Sequence, residues 1–210
     1  VRTFDLDGRP AGTVSVEAEM VRFDDRGRMV AVGPSSAGPG ERIVTVVPAG
    51  ATTPRGIGRW RPPRDIGTDH AGTRAPTALA PGLRWLAHGD GRRVLLHPLD
   101  RAGEEADVLL GVHPAVVRAV AFDSPGDRLV SADDSGELRL WETASRRLLR
   151  RASGPAPHRY SLLSFDPSGT RVAWSSGAGS ATCVWELDGV PACAVRCFRR
   201  DDVENGGGGT

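Results

Sequence analysis

Residues 117–142 read VRAVAFDSPGDRLVSADDSGELRLWE and residues 160–189 read YSLLSFDPSGTRVAWSSGAGSATCVWELDG; superposing them sets Phe122 on Phe165 and Trp141 on Trp185, 43 and 44 positions apart. A recurrence on that scale outranks every local signal, because a repeated supersecondary unit decides the whole architecture. One more step toward the N-terminus reaches GLRWLAHGDGRRVLLHPLD at 82–100, with His97 standing where Trp141 stands. Farther back, MVRFDDRGRMVAVG at 20–33 repeats the aromatic, Asp, Gly and apolar order at Phe23, Asp24 and Gly27, and RIVTVV follows at 42–47. The opening TFDLDG copies the later VWELDG and sets Phe4 against Trp185. Third-strand ends are therefore expected near residues 4, 47, 97, 141 and 185, with an irregular segment from Ala49 to Thr77 filling the one longer interval.

Each unit reads as strands. In AVAFD the apolar side chains alternate or run together, Ser-Pro-Gly-Asp turns the chain, RLVSA returns, Asp-Asp-Ser-Gly turns it again and ELRLW follows. The Asp, Ser and Gly clusters fall where tight hairpins need positive φ or side-chain-to-backbone bonds. No stretch carries apolar residues at helical spacing, and 27 Gly and 16 Pro are spread too evenly for long helices. A fourth strand closes each unit, RRLLRRAS after Trp141 and CAVRCF after Trp185; its arginines suit an outer edge, where charge discourages pairing with another sheet. One four-stranded sheet of this size cannot cover both its faces, and stacking such sheets about an axis does. The expected fold is all-β, a partial β-propeller of four to five four-stranded antiparallel blades over residues 1–198, followed by a flexible Gly-rich tail at 199–210.

Composition supports a soluble globular chain: of 210 residues 39% are hydrophobic and 25% charged, and the net charge is +1. No apolar run approaches the ~20 residues that span a bilayer, and no basic-then-apolar leader opens the chain, so a cytoplasmic protein without membrane or obligatory nucleic-acid partner is expected. The chain starts at Val1, which leaves a removed signal open. All 27 basic residues are Arg, the bias of a GC-rich genome. Cys183, Cys193 and Cys197 read as thiols within a sheet, with a cross-strand disulfide from Cys183 as the alternative.

The segment from Val112 to Arg151 resembles a WD repeat, with His113 after a fourth strand, the VAFDSPGDRLVSADD hairpin and the terminal Trp141. Regular members carry a buried hydrogen-bond network of His, Ser/Thr, Asp and Trp. Here Glu142 follows the Trp, Gly-His appears as Gly111-Val112-His113, and Ser135 holds the turn position six residues before Trp141. The resemblance implies that Phe4, Phe23, His113, Phe122, Trp141, Phe165 and Trp185 are structural repeat positions. It also implies a non-catalytic scaffold for a protein or peptide partner, as in bacterial signalling proteins. By family pattern the binding face lies on loops entering first strands and leaving second strands, which nominates Arg118, Asp133, Asp134, Tyr160 and Trp174. DPSGTRVAW also resembles bacterial propellers of the Tol type, so an envelope or lactonase-like hydrolytic role is the rival reading.

The inventory for chemistry is thin. The five histidines, His70, His88, His97, His113 and His158, accompany no nucleophile elbow, zinc-protease motif or phosphate loop. No catalytic residue, metal ligand or cofactor is assigned: His88 and His97 alone are too few for a metal. Asp24-Asp25, Asp133-Asp134 and Asp201-Asp202 read as solvated turn pairs. RGIGRWRPPR at 55–64 mixes Arg with Trp60, the composition of a nucleic-acid groove, yet the near-neutral charge favours a solvated loop or a protein contact.

Overall fold

The computed structural model describes residues 2–4, 10–13, 18, 20–24, 26–36, 41–48, 51, 53–60, 76–99, 106–154, 162–175, 181–188 and 195–199. Every element in it is a strand. Strands β1 (Arg2–Phe4) and β2 (Pro10–Thr13) form a two-stranded antiparallel pair, so Phe4 closes a short hairpin strand. Four four-stranded sheets follow, each an antiparallel meander in chain order. Sheet 1 holds β3 (Met20–Phe23), β4 (Met29–Pro34), β5 (Arg42–Val47) and β6 (Arg55–Trp60). Sheet 2 holds β7 (Thr77–Leu79), β8 (Trp85–Asp90), β9 (Arg93–Pro98) and β10 (Val108–Val112). Sheet 3 holds β11 (Val117–Phe122), β12 (Arg128–Asp133), β13 (Glu137–Glu142) and β14 (Arg147–Ser153). Sheet 4 holds β15 (Leu163–Phe165), β16 (Arg171–Ser175), β17 (Ala181–Glu186) and β18 (Val195–Arg199).

The sheets pack face to face, and the core lies between them. Val30, Val44 and Trp60 of sheet 1 meet Leu79, Leu86 and Leu99 of sheet 2. Ala87, Val94 and Leu96 of sheet 2 meet Val117, Leu129 and Trp141 of sheet 3, and Val130, Leu138 and Leu140 of sheet 3 meet Val172, Trp174 and Trp185 of sheet 4. First strands approach one another, β11 touching both β7 and β15, so the sheets radiate from that side as in a propeller.

Third strands end where the repeat placed them, at Val47, Pro98, Glu142 and Glu186. The segment from Ala49 to Thr77 is not wholly irregular: β6 lies inside it and pairs with β5. Glycine is what makes that strand fit, because a Cβ at Gly56 would stand 2.8 Å from Ile43 Cδ1 and one at Gly58 2.8 Å from Leu99 Cδ2. Cys183 lies opposite Cys197 across β17 and β18, and the two form a disulfide, so the expectation of free thiols gives way to the cross-strand alternative. Cys193 and the tail beyond residue 199 lie outside the described residues. No helix is long and apolar enough to cross a membrane among the residues described.

Candidate binding surface at the inner strand ends

Of the five nominated partner contacts, the structure leaves two at the surface. Arg118 and Asp134 face each other across β11 and the β12–β13 turn, with Arg118 Nε 2.6 Å from Asp134 Oδ1 and Nη2 2.8 Å from Oδ2. Tyr160 lies outside the described residues. Asp133 and Trp174 are corrections: their side chains are buried, at 0% and 1% exposure, and neither offers itself to a partner.

Asp133 is consumed by the core. Its carboxylate accepts from the backbone N–H of Ala115 at 3.1 Å, of Ser135 at 2.9 Å and of Glu137 at 3.1 Å, and from the Ser135 hydroxyl. Burial alone would raise its pKa; the Ser135 hydroxyl and these amides outweigh burial and hold it below the usual carboxylate value. Trp141 Nε1–H donates to Ser131 Oγ at 2.8 Å, and that hydroxyl stands 2.7 Å from His113 Nε2. His113 Nδ1 lies 3.2 Å from Asp133 Oδ2, near enough for attraction but misaligned for a hydrogen bond. Burial, aided by the positive charge of Arg139, pushes the imidazole below its ordinary value. Sheet 3 therefore brings His113, Ser131, Asp133 and Trp141 together, with Trp141–Ser131–His113 hydrogen-bonded and His113–Asp133 in contact only; the carboxylate comes from two residues before Ser135.

The equivalent places elsewhere are filled differently. Trp174 takes the position of Ser131 in sheet 4. In sheet 2 that position is His88 and the Trp141 position is His97. Both imidazoles converge on one residue the sequence did not single out: Asp107 Oδ2 is 2.9 Å from His88 Nε2, and Oδ1 is 2.9 Å from His97 Nδ1. Burial raises the Asp107 carboxyl; hydrogen bonds from His88 and then His97 reverse this and hold it far below the usual range. His97 Nε2 also stands 3.0 Å from the Arg59 carbonyl, which ties sheet 2 to β6. No group of three His, Cys, Asp or Glu among the described residues is arranged to hold a metal ion.

The concave feature that gathers repeat positions lies at the opposite ends of the first strands, ~13 Å along β11 from Arg118. There a recess of about 440 Å³ is lined by Phe23 and Asp24, Leu79 to Pro81, Phe122 and Asp123, and Phe165 and Asp166, one contribution from every sheet. Phe23 is 67% exposed, and the other two rings are half-buried. Each Asp shapes its own turn. Asp24 Oδ1 accepts from the amides of Arg26 and Arg28 while Oδ2 accepts from Arg28 Nε at 2.7 Å; Asp123 and Arg128 repeat the pattern. Asp166 accepts from the Ser168 hydroxyl, which holds its carboxyl below the ordinary value. Arginines stitch neighbouring turns together: Arg22 Nη1 donates to the Leu79 carbonyl at 3.0 Å and Arg128 Nη2 to that of Gly169 at 2.8 Å. The seven repeat positions thus divide: His113, Trp141 and Trp185 are core, Phe23, Phe122 and Phe165 line the recess, and Phe4 lies in the short hairpin.

No family model matches the chain, and no curated protein matches it. Among solved structures it resembles U3-55K, a WD40 β-propeller protein, at 14% identity and a TM-score of 0.58, over 90% of this chain and 54% of that one. The chain thus spans about half the length of that neighbour. At that identity the likeness concerns the fold: stacked antiparallel sheets forming part of a propeller.

Proposed function

We propose that this chain is a non-catalytic recognition module, a propeller segment that offers its inner strand ends and loops to a protein or peptide partner. The observation behind this reading is the axial recess, where Phe23, Phe122 and Phe165 surround a concavity in a rigid stack. Aromatic rings around a fixed hollow suit an incoming apolar side chain, the usual anchor of a protein contact. Catalysis would need a nucleophile with its base, or a polarised water, and the carboxylates around the recess are already committed to their turns. The near-zero net charge gives no reason to invoke nucleic acid or an anionic membrane as the partner, and this reading assigns the module no cofactor.

The test is a peptide selected from a displayed library against this protein and then titrated onto a Phe23→Ala, Phe165→Ala double variant. Binding is expected to weaken at least about tenfold, the scale of losing aromatic hot-spot contacts. Because Phe23 is largely exposed, the Phe23→Ala single variant should keep the parent melting temperature. An unchanged affinity overturns the reading, as does turnover of a lactone or ester panel by the full-length protein.

A further inference from the structure

Beside the axial recess, between the first turns of sheets 1 and 2, lies a second hollow of about 360 Å³. Its rim carries three guanidinium groups, Arg26 and Arg28 from the β3–β4 turn and Arg55 from β6, and its floor is aliphatic: Val46, Ile57 and Leu83. Leu83 lines both hollows, so the groove and the recess lie side by side. Arg28 is fixed by the bond from its Nε to Asp24 Oδ2. Arg26 and Arg55 are exposed, and neither forms an ion pair with a described residue. Among the described residues, the carboxylate bonded to this rim is Asp24, and both its oxygens are occupied. Among the described residues the rim has three cations and one paired carboxylate, a positive balance that a partner with negative charge and apolar surface would complement.

Two classes of partner carry negative charge in an extended strand, and Trp60 separates them. Single-stranded nucleic acid is held by bases stacked on aromatic rings between phosphate contacts. The aromatic residue of this arginine-rich run is withdrawn: Trp60 is 4% exposed, packed on the His88 ring at 4.8 Å. The groove lining has aliphatic side chains instead, which match an aliphatic side chain and give a base no face to stack on. We infer that this groove seats an acidic peptide segment of the partner, with carboxylates on Arg26, Arg28 and Arg55 and an aliphatic side chain between them on Val46, Ile57 and Leu83. This assignment rests on the partner-binding reading and gives the partner a chemistry. The backbone would run from the groove over Leu83 toward Phe23.

The experiment uses the whole chain and fluorescence anisotropy with three labelled probes: an acidic peptide alternating Glu and Leu, the same peptide with Lys for Glu, and an oligothymidylate of equal length. The acidic peptide should bind and the Lys peptide should not. An Arg26→Glu, Arg55→Glu double variant should weaken binding at least about tenfold, and raising salt from about 50 to about 300 mM should act in the same direction, as for an interface steered by charge. Arg147→Glu, on the exposed start of β14, should leave affinity unchanged. If Phe23→Ala has no effect while the arginine variant does, the groove stands and the recess reading falls. Three results overturn the groove: an acidic peptide that does not bind, binding that survives the double variant, or an oligonucleotide that binds as tightly as the peptide.

Discussion

Ser131 is the smallest member of the sheet 3 network and the one on which two rings depend. Its hydroxyl meets Trp141 Nε1 and His113 Nε2 where water has no access. Ser131→Ala keeps the volume of the β-carbon and strands both nitrogens. Leaving a buried polar group without a partner costs about 1–3 kcal/mol. Denaturant unfolding of Ser131→Ala should show a loss in that range; a change below about 0.5 kcal/mol would mean the network is ornamental. At the same scale, Leu83 shows one force overruling another. Its φ of 56° is left-handed, where Gly27, Gly126 and Gly169 stand in the other three first turns. A branched side chain pays about 1–2 kcal/mol there. Burying Leu83 between sheets 1 and 2 returns about 1.5–3 kcal/mol, so the turn keeps its shape without its glycine.

Among the elements, neighbouring sheets are keyed by ring and glycine. A Cβ on Gly111 in β10 would lie 2.2 Å from Trp141 of sheet 3, and one on Gly154, just after β14, 2.4 Å from Trp174 of sheet 4. Both rings are buried, so neither has room to withdraw. Gly154→Ala should therefore destabilise by about 1–3 kcal/mol through overpacking, whereas Gly82→Ala, with nothing within 4 Å of its added Cβ, should melt like the parent. Equal melting temperatures for the two variants would refute the keyed packing. Most of this level was legible: Phe122, Trp141 and their partners 43 and 44 residues on fixed the strand ends in advance. β6 was not, because Gly56 and Gly58 in RGIGRW, the residues that let the strand approach, have no side chains to reveal a period. Asp107 was equally silent, one carboxylate in an acidic stretch whose meaning depends on histidines from β8 and β9. The recess was visible as repeated Phe-Asp pairs but not as a place, since only stacking brings those turns together. Asp133 and Trp174 were expected on loops and lie instead within β12 and β16, buried by packing that no single repeat reveals.

Over the whole molecule, the buried ionisable groups set a direction for acid lability. His113 has a folded pKa below its ordinary 6.5, so the unfolded chain takes up its proton first as pH falls. Stability from this group is full above 6.5 and is lost on the way down toward the folded value. Asp107 and Asp133 are held below the ordinary 3.8, and their contribution, full above that value, is lost as pH falls through the acid range. Melting temperature should be level near neutrality, begin to fall below about 6.5 and drop more steeply in the carboxylate range. His113→Gln should remove the first limb and keep the second. A melting temperature unchanged between about pH 7.5 and about pH 3 would contradict the assignment.

The ring-and-glycine keys also have an order in time. Gly111 belongs to the last strand of sheet 2 and Gly154 follows the last strand of sheet 3, while the indoles that fill them belong to the sheets after. A ribosome releasing this polypeptide from its N-terminus finishes each socket before it delivers the plug. Assembly can thus proceed vectorially, each new hairpin closing on a surface already in place.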